Sequence, residues 1–576
     1  MHDDKPSIRI ALLGGGPAAL YMFKRIVESG RTDVRIHIYE RKSMLGAGMP
    51  YSEEGANTEH LTNISDVEIP KLETTMEEWL PKLPEGSTKR FGFNQDEFHD
   101  LKVIPRLLFG KYLADQFQIL LEKAKNKDIP VSVHLNVEVQ DVKDDPEANK
   151  VKVITGEGAT SFDHVVLCTG HQWPKKYEGK VDGYYDSPYP PSKISKKINY
   201  PVAIKGSSLT AFDAIRTLSR CNGRFTKDEK DVLGYQLDKE SNGFKMVMHS
   251  IDGLLPTIRM HVDEKEVSKK NHLSKEEMLS IREKNGGFIP LDWLYEEKFK
   301  ESFKKKDPEF YKHIKNLDLE TFVESIMSFR EKLDPFSLFR AEYDEAEKSI
   351  RKHNAIAWKE LIADLNYTIN YPAKYFSAED MLRLKKVLMP LISIIIAFVP
   401  QNSAQELIAL HEAGVLSVVA VDRDSKIEPD SAEGITYHYT DENGKKESKK
   451  FRMFIDCVGQ PLLEMDDLTF GSLVEYGTVS PARIRFRSIE DAEKLKREGN
   501  KDVVITEKIA YLKLPGIMIN DDFQVVDNMG VKNNRVYVMA VPLIGGLNPD
   551  YSGLDFCDFA STAIVKSILK MEENKI

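Results

Sequence analysis

Gly14, Gly16 and Ala19 stand at G-x-G-x-x-A spacing in GGGPAAL, directly after the apolar run IRIALL. That pattern is suited to cradling phosphate. Gly14 permits a tight turn out of a strand, Gly16 lets the backbone approach a pyrophosphate, and Ala19 lets the following helix pack close to the strand. Pro17 and Ala18 open that helix, whose first N–H groups lack partners within the helix and are available to phosphate oxygens. The next apolar run ends in Glu40. A carboxylate there accepts hydrogen bonds from ribose hydroxyls and repels a 2′-phosphate, which argues against NADP at this first site. The fingerprint by itself leaves NAD and FAD both open.

These residues need a strand–turn–helix–strand frame, and the hydrophobic spacing supplies one. Ile8–Leu13 reads as a buried parallel strand, a helix runs from Ala18 to a stop at Gly30, and Val34–Tyr39 reads as the second strand. A similar unit follows later. Tyr200–Ile204 reads as a strand, and KGSSLTAFDAIRTL as its turn and helix, with Gly206, Ser207, Ser208, Leu209 and Thr210 placed to meet a nicotinamide dinucleotide. The strand Lys245–Ser250 leads to Asp252, an acid that favours ribose hydroxyls and therefore NADH over NADPH. Residues 261–385 turn charged, with helical periodicity and few glycines, and read as a helical insertion able to cap a site or form an oligomer contact. Arg259, His261, Arg340 and Lys352 are candidate carboxylate holders in or beside it, though each is more readily a surface charge. Further on, Ser377 reads as an N-cap, Asp441–Glu447 as a hairpin, Phe451–Pro461 as a strand and turn returning to the first domain, and Val536–Pro542 as a buried strand before a terminal helix.

Several ordered motifs carry a resemblance. They are ERKSMLG after the second strand, GAGMPYS, HLTNIS, IPRLLFGKYL, DHVVLCTGHQWP, YYDSPYP, GSSLTAFDA and GLLP, spread over roughly residues 7–260. Together they resemble a bacterial family of FAD/NAD(P)-binding flavoproteins, similar in turn to flavin-dependent N-monooxygenases, with an aspartate N-monooxygenase, nitrosuccinate-forming branch among them. The resemblance implies an α/β fold of two dinucleotide-binding Rossmann-like domains, glutathione-reductase-like, with a helical insertion. It divides the chain into 1–195 (FAD-binding, first part), 196–260 (NAD(P)H-binding, first part), 261–385 (insertion), 386–450 (NAD(P)H-domain return and linker) and 451–576 (FAD-binding, C-terminal part).

The same resemblance places Arg41 along the ADP, Gly48 and Met49 on the approach to the flavin, and His60, Leu61 and Asn63 at the isoalloxazine or ribityl chain. Arg106 pairs with a phosphate, Val139 belongs to an edge strand near the adenine, and Thr169, Gly170 and His171 close over the adenine half. Gly545, Gly546 and Leu547 pass the flavin pyrimidine, and Asn548, Asp550 and Tyr551 face substrate. The family usually has a second glycine where this chain has Ser208, a side chain that narrows the space for a pyrophosphate. The implied activity is that of an FAD-dependent NADH or NADPH oxidoreductase, a monooxygenase that uses a flavin C4a-hydroperoxide to oxygenate a small amine or an amino acid such as aspartate. The alternatives are a flavin reductase or dehydrogenase without oxygenation, and a non-catalytic FAD-bound redox-sensing or partner-binding protein. No specific catalytic side chain is singled out, because the flavin carries the chemistry.

Composition narrows the partners. The 576 residues carry a formal net charge of −10, which argues against a nucleic-acid or anionic-membrane binder. The four cysteines, Cys168, Cys221, Cys457 and Cys557, include no C-x-x-C, which disfavours a disulfide framework, a zinc site or a disulfide reductase, and no metal is expected. G-x-S-x-G and H-E-x-x-H are absent. The longest apolar run, Leu391–Val399, falls well short of the ~20 residues of a membrane span. The start of the chain shows no signal pattern, so the expected compartment is the cytoplasm, with a small molecule and molecular oxygen as partners and a homo-oligomer left open.

Overall fold

The computed structural model describes residues 7–99, 101–251, 253–262, 273–430, 433–549 and 553–573. Two parallel sheets carry the architecture. The first runs Gln524–Val526, Lys532–Val538, His164–Leu167, Ile8–Leu13, Val34–Glu40, Val131–Leu135, with every neighbouring pair parallel except the first. Ile8–Leu13 lies near its centre and is buried along almost its whole length, as a strand covered on both faces must be. The helix Pro17–Glu28 follows, with its glycine turn before it and Gly30 in the left-handed region after it. It packs against Gly553–Glu573 and Arg106–Asn126.

The second sheet is wholly parallel, in the order Leu416–Val421, Lys245–Ile251, Pro201–Lys205, Met453–Asp456, Tyr184–Tyr185. Its central strand feeds the helix Leu209–Asn222. The fold is therefore α/β, with two Rossmann-type units and a helical region, as the sequence led us to expect. Strand pairing adds two details. Tyr184–Tyr185 already belongs to the second sheet, and so does Met453–Asp456, which the sequence reading placed in the segment returning to the first domain. The edge strand of the first sheet is Val131–Leu135, whereas Val139 opens a separate antiparallel meander, Val139–Asp145, Lys150–Thr155, Gly158–Phe162.

The helical region is divided between two cores. Leu291, Phe299, Phe322, Leu361, Leu365, Leu391 and Ile395 are continuous with the core of the first sheet. Phe336, Phe339 and Ala346, all on the helix Pro335–Lys352, pack instead with the core of the second. The insertion thus spans both nucleotide-type units. Ser377 caps its helix as expected, its hydroxyl accepting from the Asp380 N–H at 3.2 Å. No helix among the described residues is long and apolar enough to cross a membrane.

Candidate functional site

The two glycine turns are built alike. Gly14 has φ +111°, and a Cβ placed on it would lie 2.6 Å from the Cys168 carbonyl oxygen. Gly206 has φ +104°, and its Cβ would lie 2.8 Å from the Cys457 carbonyl oxygen. In each unit the turn leaving the first strand passes against the end of the neighbouring parallel strand, which only a glycine allows. Gly16 meets Gly48, with an added Cβ only 3.2 Å from the Gly48 Cα, so two backbones approach closely beside the first turn. Glu40 is held by that turn: its carboxylate accepts the Gly15 N–H at 2.7 Å and the Lys42 N–H at 2.9 Å.

A cavity of about 1380 Å³ opens on these residues. Of the residues expected at FAD, its wall holds Gly14, Gly16, Pro17, Ala18, Glu40, Arg41, Gly48, Met49, Asn63, Arg106, Val139, Thr169, Gly170 and His171. Thr210, on the second unit's helix, reaches the same cavity. The residues present fit an adenine dinucleotide. A side-chain-free turn meets a helix N-terminus, a carboxylate is fixed by two backbone N–H groups, and the space is large and continuous.

Other expected residues lie elsewhere. Ala19 is fully buried in the core, where it allows helix and strand to pack closely. His60 is also fully buried and, with Leu61, is not on the cavity wall. Its Nε2 lies 3.1 Å from the Asp213 carbonyl and 3.0 Å from Thr217 Oγ1, while its Nδ1 accepts the Asn57 N–H. Burial holds its pKa below the ordinary value, so the ring is neutral and joins the two nucleotide-type units. Leu61 contributes its carbonyl, which accepts from Arg106 Nε at 2.8 Å.

Gly545, Gly546 and Leu547 are packed away from the cavity. A Cβ on Gly546 would fall 1.9 Å from the Pro515 carbonyl oxygen, and one on Gly545 would fall 2.3 Å from Leu462, so these glycines serve close packing. The cavity is reached on either side of these glycines, by Met539, Val541 and Pro542 before them and by Gly553–Cys557, the start of the last helix, after them. Asn548 is buried and donates to the Asn370 carbonyl at 2.6 Å. Asp252, Asp550 and Tyr551 lie outside the described residues.

Arg106 has protein partners where a phosphate was expected. Its Nη1 donates to Asp213 Oδ2 at 2.5 Å, and the Tyr189 hydroxyl donates to the same oxygen at 2.6 Å. Burial alone lowers the guanidinium pKa, and the Asp213 charge outweighs it and holds it above the ordinary value. In the second unit, Ser207 donates to the Leu254 carbonyl at 2.9 Å, and Ser208 precedes the helix without a side-chain cap bond. Of the four basic candidates around the insertion, Arg259 is buried and bound to Glu68, and Arg340 forms a surface pair with Glu412 at 2.7 Å. His261 Nδ1 is buried without a hydrogen-bond partner among the described residues, and Lys352 is exposed.

The sequence reading missed one end of the cavity. Ala363, Asn366 and Tyr367 reach it from the helix Ala357–Asn370, together with Ile396, Phe398 and Phe91. Phe398 has φ +44°, an uncommon conformation for a bulky residue, and its flanks are held by the Thr257 and Val399 backbone pairing. Cys168 and Cys557 also line the cavity, but burial pushes both thiols up, Cys557 to about 12, so neither is a ready nucleophile.

Residues 11–172 match the family model described as FAD-NAD(P)-binding. This segment is an FAD/NAD(P)-binding domain. Residues 274–396 match a YdhS-like middle domain, which coincides with the helical region. YdhS of Escherichia coli (strain K12), described as an uncharacterized protein, is 28% identical over 469 residues, covering 81% of this chain and 86% of its own. Among solved structures, an ornithine N-hydroxylase from Kutzneria sp. 744 is 13% identical with a TM-score of 0.46, covering 98% of this chain and 100% of that one. The ornithine hydroxylase PvdA from Pseudomonas aeruginosa is 11% identical with a TM-score of 0.43, covering 98% and 99%. Bacillithiol disulfide reductase from Staphylococcus aureus is 11% identical with a TM-score of 0.40, covering 99% and 100%.

Within the FAD/NAD(P)-binding domain, Glu40 gives the first test. Hydrogen bonds to a charged group contribute about 1.5–3 kcal/mol each. Glu40→Ala is therefore expected to weaken FAD retention by about tenfold or more, read as the flavin-to-protein absorbance ratio after dialysis. Unchanged flavin content would remove Glu40 from the ribose.

Proposed function

We propose that the protein is an NAD(P)H-dependent flavin monooxygenase acting on a small amine, with amino acids such as aspartate among the candidate substrates. The observation that carries this reading is that one cavity is walled by the first glycine turn, by Thr210 of the second unit and by the insertion helix Ala357–Asn370. A hydride donor, a flavin and a third molecule would thereby share one cavity. When bound, FAD supplies hydride acceptance and oxygen activation. The protein's part is to position and to exclude water. Ile64, Phe91, Ile396, Phe398 and Leu554 give the insertion end an apolar wall, and the Arg106–Asp213–Tyr189 cluster fixes a cation at the junction of the two units. Asp252, the residue after Ile251 in the sequence, selects NADH in this proposal.

The test is an anaerobic visible-absorbance titration of the purified protein with NADH and with NADPH, followed by turnover under ¹⁸O₂. Bleaching of the flavin band and label in an oxygenated amine are the expected results. Full turnover with another acceptor under argon, and no label under oxygen, would favour a reductase. A flavin band that neither nucleotide bleaches, with or without added amine, would favour the redox-sensing or partner-binding alternative.

A further inference from the structure

We propose that Glu68 is the residue that receives an alkylammonium group of the substrate, through its Oε1, at the insertion end of the cavity. This assignment rests on the amine-oxygenase reading above and names its substrate class as cationic.

Glu68 closes a single 3₁₀ turn, Asp66–Glu68, and is on the cavity wall with Asn63 and Ile64. Its Oε2 is crowded: it accepts the Ser65 N–H at 2.8 Å, the Ser65 hydroxyl at 2.7 Å and Arg259 Nη2. Its Oε1 accepts no hydrogen bond among the described residues. The carboxylate is thus locked by one oxygen and leaves the other to the cavity.

The lock is itself rigid. Arg259 is 4% exposed and also donates to the Asn63 carbonyl at 2.6 Å and to Ser65 Oγ at 2.9 Å. Its backbone N–H bonds the Val399 carbonyl at 2.8 Å, which ties the same segment to the turn holding Phe398. Three positions on the wall, Asn63, Glu68 and Phe398, are therefore set by one buried arginine and its backbone. Pre-organisation of this kind is what a recognition group requires.

The charges around the cavity select the ligand. Arg106 is committed to Asp213, Lys42 to Glu54 and Lys111 to Asp115, so the basic groups with acidic partners offer little to a second carboxylate. Glu68 presents an acceptor, and Asp555 is a second carboxylate on the same wall. At Glu68 a donor-rich cation satisfies the second oxygen, whereas a carboxylate there would set like charges face to face; Arg41 and Arg90, also on the wall, are where a carboxylate would be drawn instead.

The experiment uses the FAD-loaded full chain and ligand-observed NMR titration with butylammonium chloride and with sodium butyrate. Butylammonium is expected to bind saturably and more tightly than butyrate. Glu68→Gln should weaken butylammonium binding by about tenfold or more and leave the butyrate response unchanged. FAD content and the thermal midpoint are read on the same samples. If the Gln variant does not retain FAD, Glu68→Asp, which keeps the charge but withdraws it by one methylene, carries the test with the same expected direction. The assignment is overturned if butyrate binds as tightly as butylammonium, if neither binds saturably, or if the variant that retains FAD leaves butylammonium affinity unchanged. A Glu68-dependent butylammonium response without oxygen incorporation supports this assignment and removes the oxygenation reading. Labelled product with a Glu68-independent response removes the assignment alone.

Discussion

An Asp213→Ala variant is expected to lose stability, by up to about 3–5 kcal/mol, because it strands the half-buried Arg106 guanidinium beside the cavity. Asp213 is 5% exposed on the helix Leu209–Asn222, and one of its oxygens accepts from both Arg106 and Tyr189. Arg106 sits on the other nucleotide-type unit, at the start of Arg106–Asn126. The pair therefore spans the junction of the two units. Burial alone raises the Asp213 carboxyl pKa, and the Arg106 charge outweighs it, so the folded value lies below the ordinary one. The sign of the pH dependence follows. The stabilisation is present above the unfolded-state pKa of about 3.9 and is lost as pH falls through the lower folded value. Urea midpoints measured from pH 7 to pH 2 should show a wild-type decline in that acid window that is shallower in Asp213→Asn. Tyr189→Phe removes one hydrogen bond and should cost only about 1–3 kcal/mol. The double replacement Arg106→Leu with Asp213→Leu should be less damaging than the sum of its singles, because removing both charges leaves none stranded. Additive losses would mean that the two side chains do not act as a pair.

The units that Asp213 and Arg106 join were readable in the sequence because their signals are local. A glycine at φ +111° followed by a helix, and an acid closing the next strand, are dictated by sterics within one strand–turn–helix–strand segment. What those segments touch is not local. His60 reads as a polar loop residue near a cofactor, yet its partners Asp213 and Thr217 stand more than 150 residues away in sequence. Gly546 reads as a turn passing a flavin, but its missing Cβ makes room for the Pro515 carbonyl. A glycine signals that something comes close without saying what does. Val131–Leu135 and the strand beginning at Val139 are adjacent and both open on a valine, and only pairing with Val34–Glu40 decides which one extends the sheet. The insertion was legible as charged helices, but the pattern does not single out the residues that reach the cavity, Asn366, which is buried, and Tyr367, which is exposed. Phe398 gives no sequence signal, since its left-handed backbone is imposed by Thr257 and Val399.

The matched glycines allow the two units to be separated. Gly14→Ala and Gly206→Ala each place a methyl group within 3 Å of a backbone carbonyl, at 2.6 Å and 2.8 Å, in a backbone region that side chains rarely adopt. The left-handed penalty of roughly 1–2 kcal/mol and an overpacking cost of roughly 1–3 kcal/mol act together, because neither carbonyl is the end of a flexible side chain. The strand end must move, and with it the turn facing the dinucleotide. Gly14→Ala is expected to be purified with most of its FAD missing. Gly206→Ala is expected to keep its FAD, while its anaerobic reduction by NADH slows by about tenfold or more. Gly30→Ala is the control for backbone strain alone, since Gly30 has φ +71° but no atom within 4 Å of its added Cβ. It should cost about 1–2 kcal/mol and alter neither cofactor property. Reduction at the wild-type rate in Gly206→Ala would mean that the second turn does not carry the nicotinamide nucleotide, and the symmetry of the two turns would then be architectural only. Loss of FAD from both variants would instead mean that the second unit holds the first in shape, through contacts such as those of Asp213 with Arg106 and His60 with Thr217.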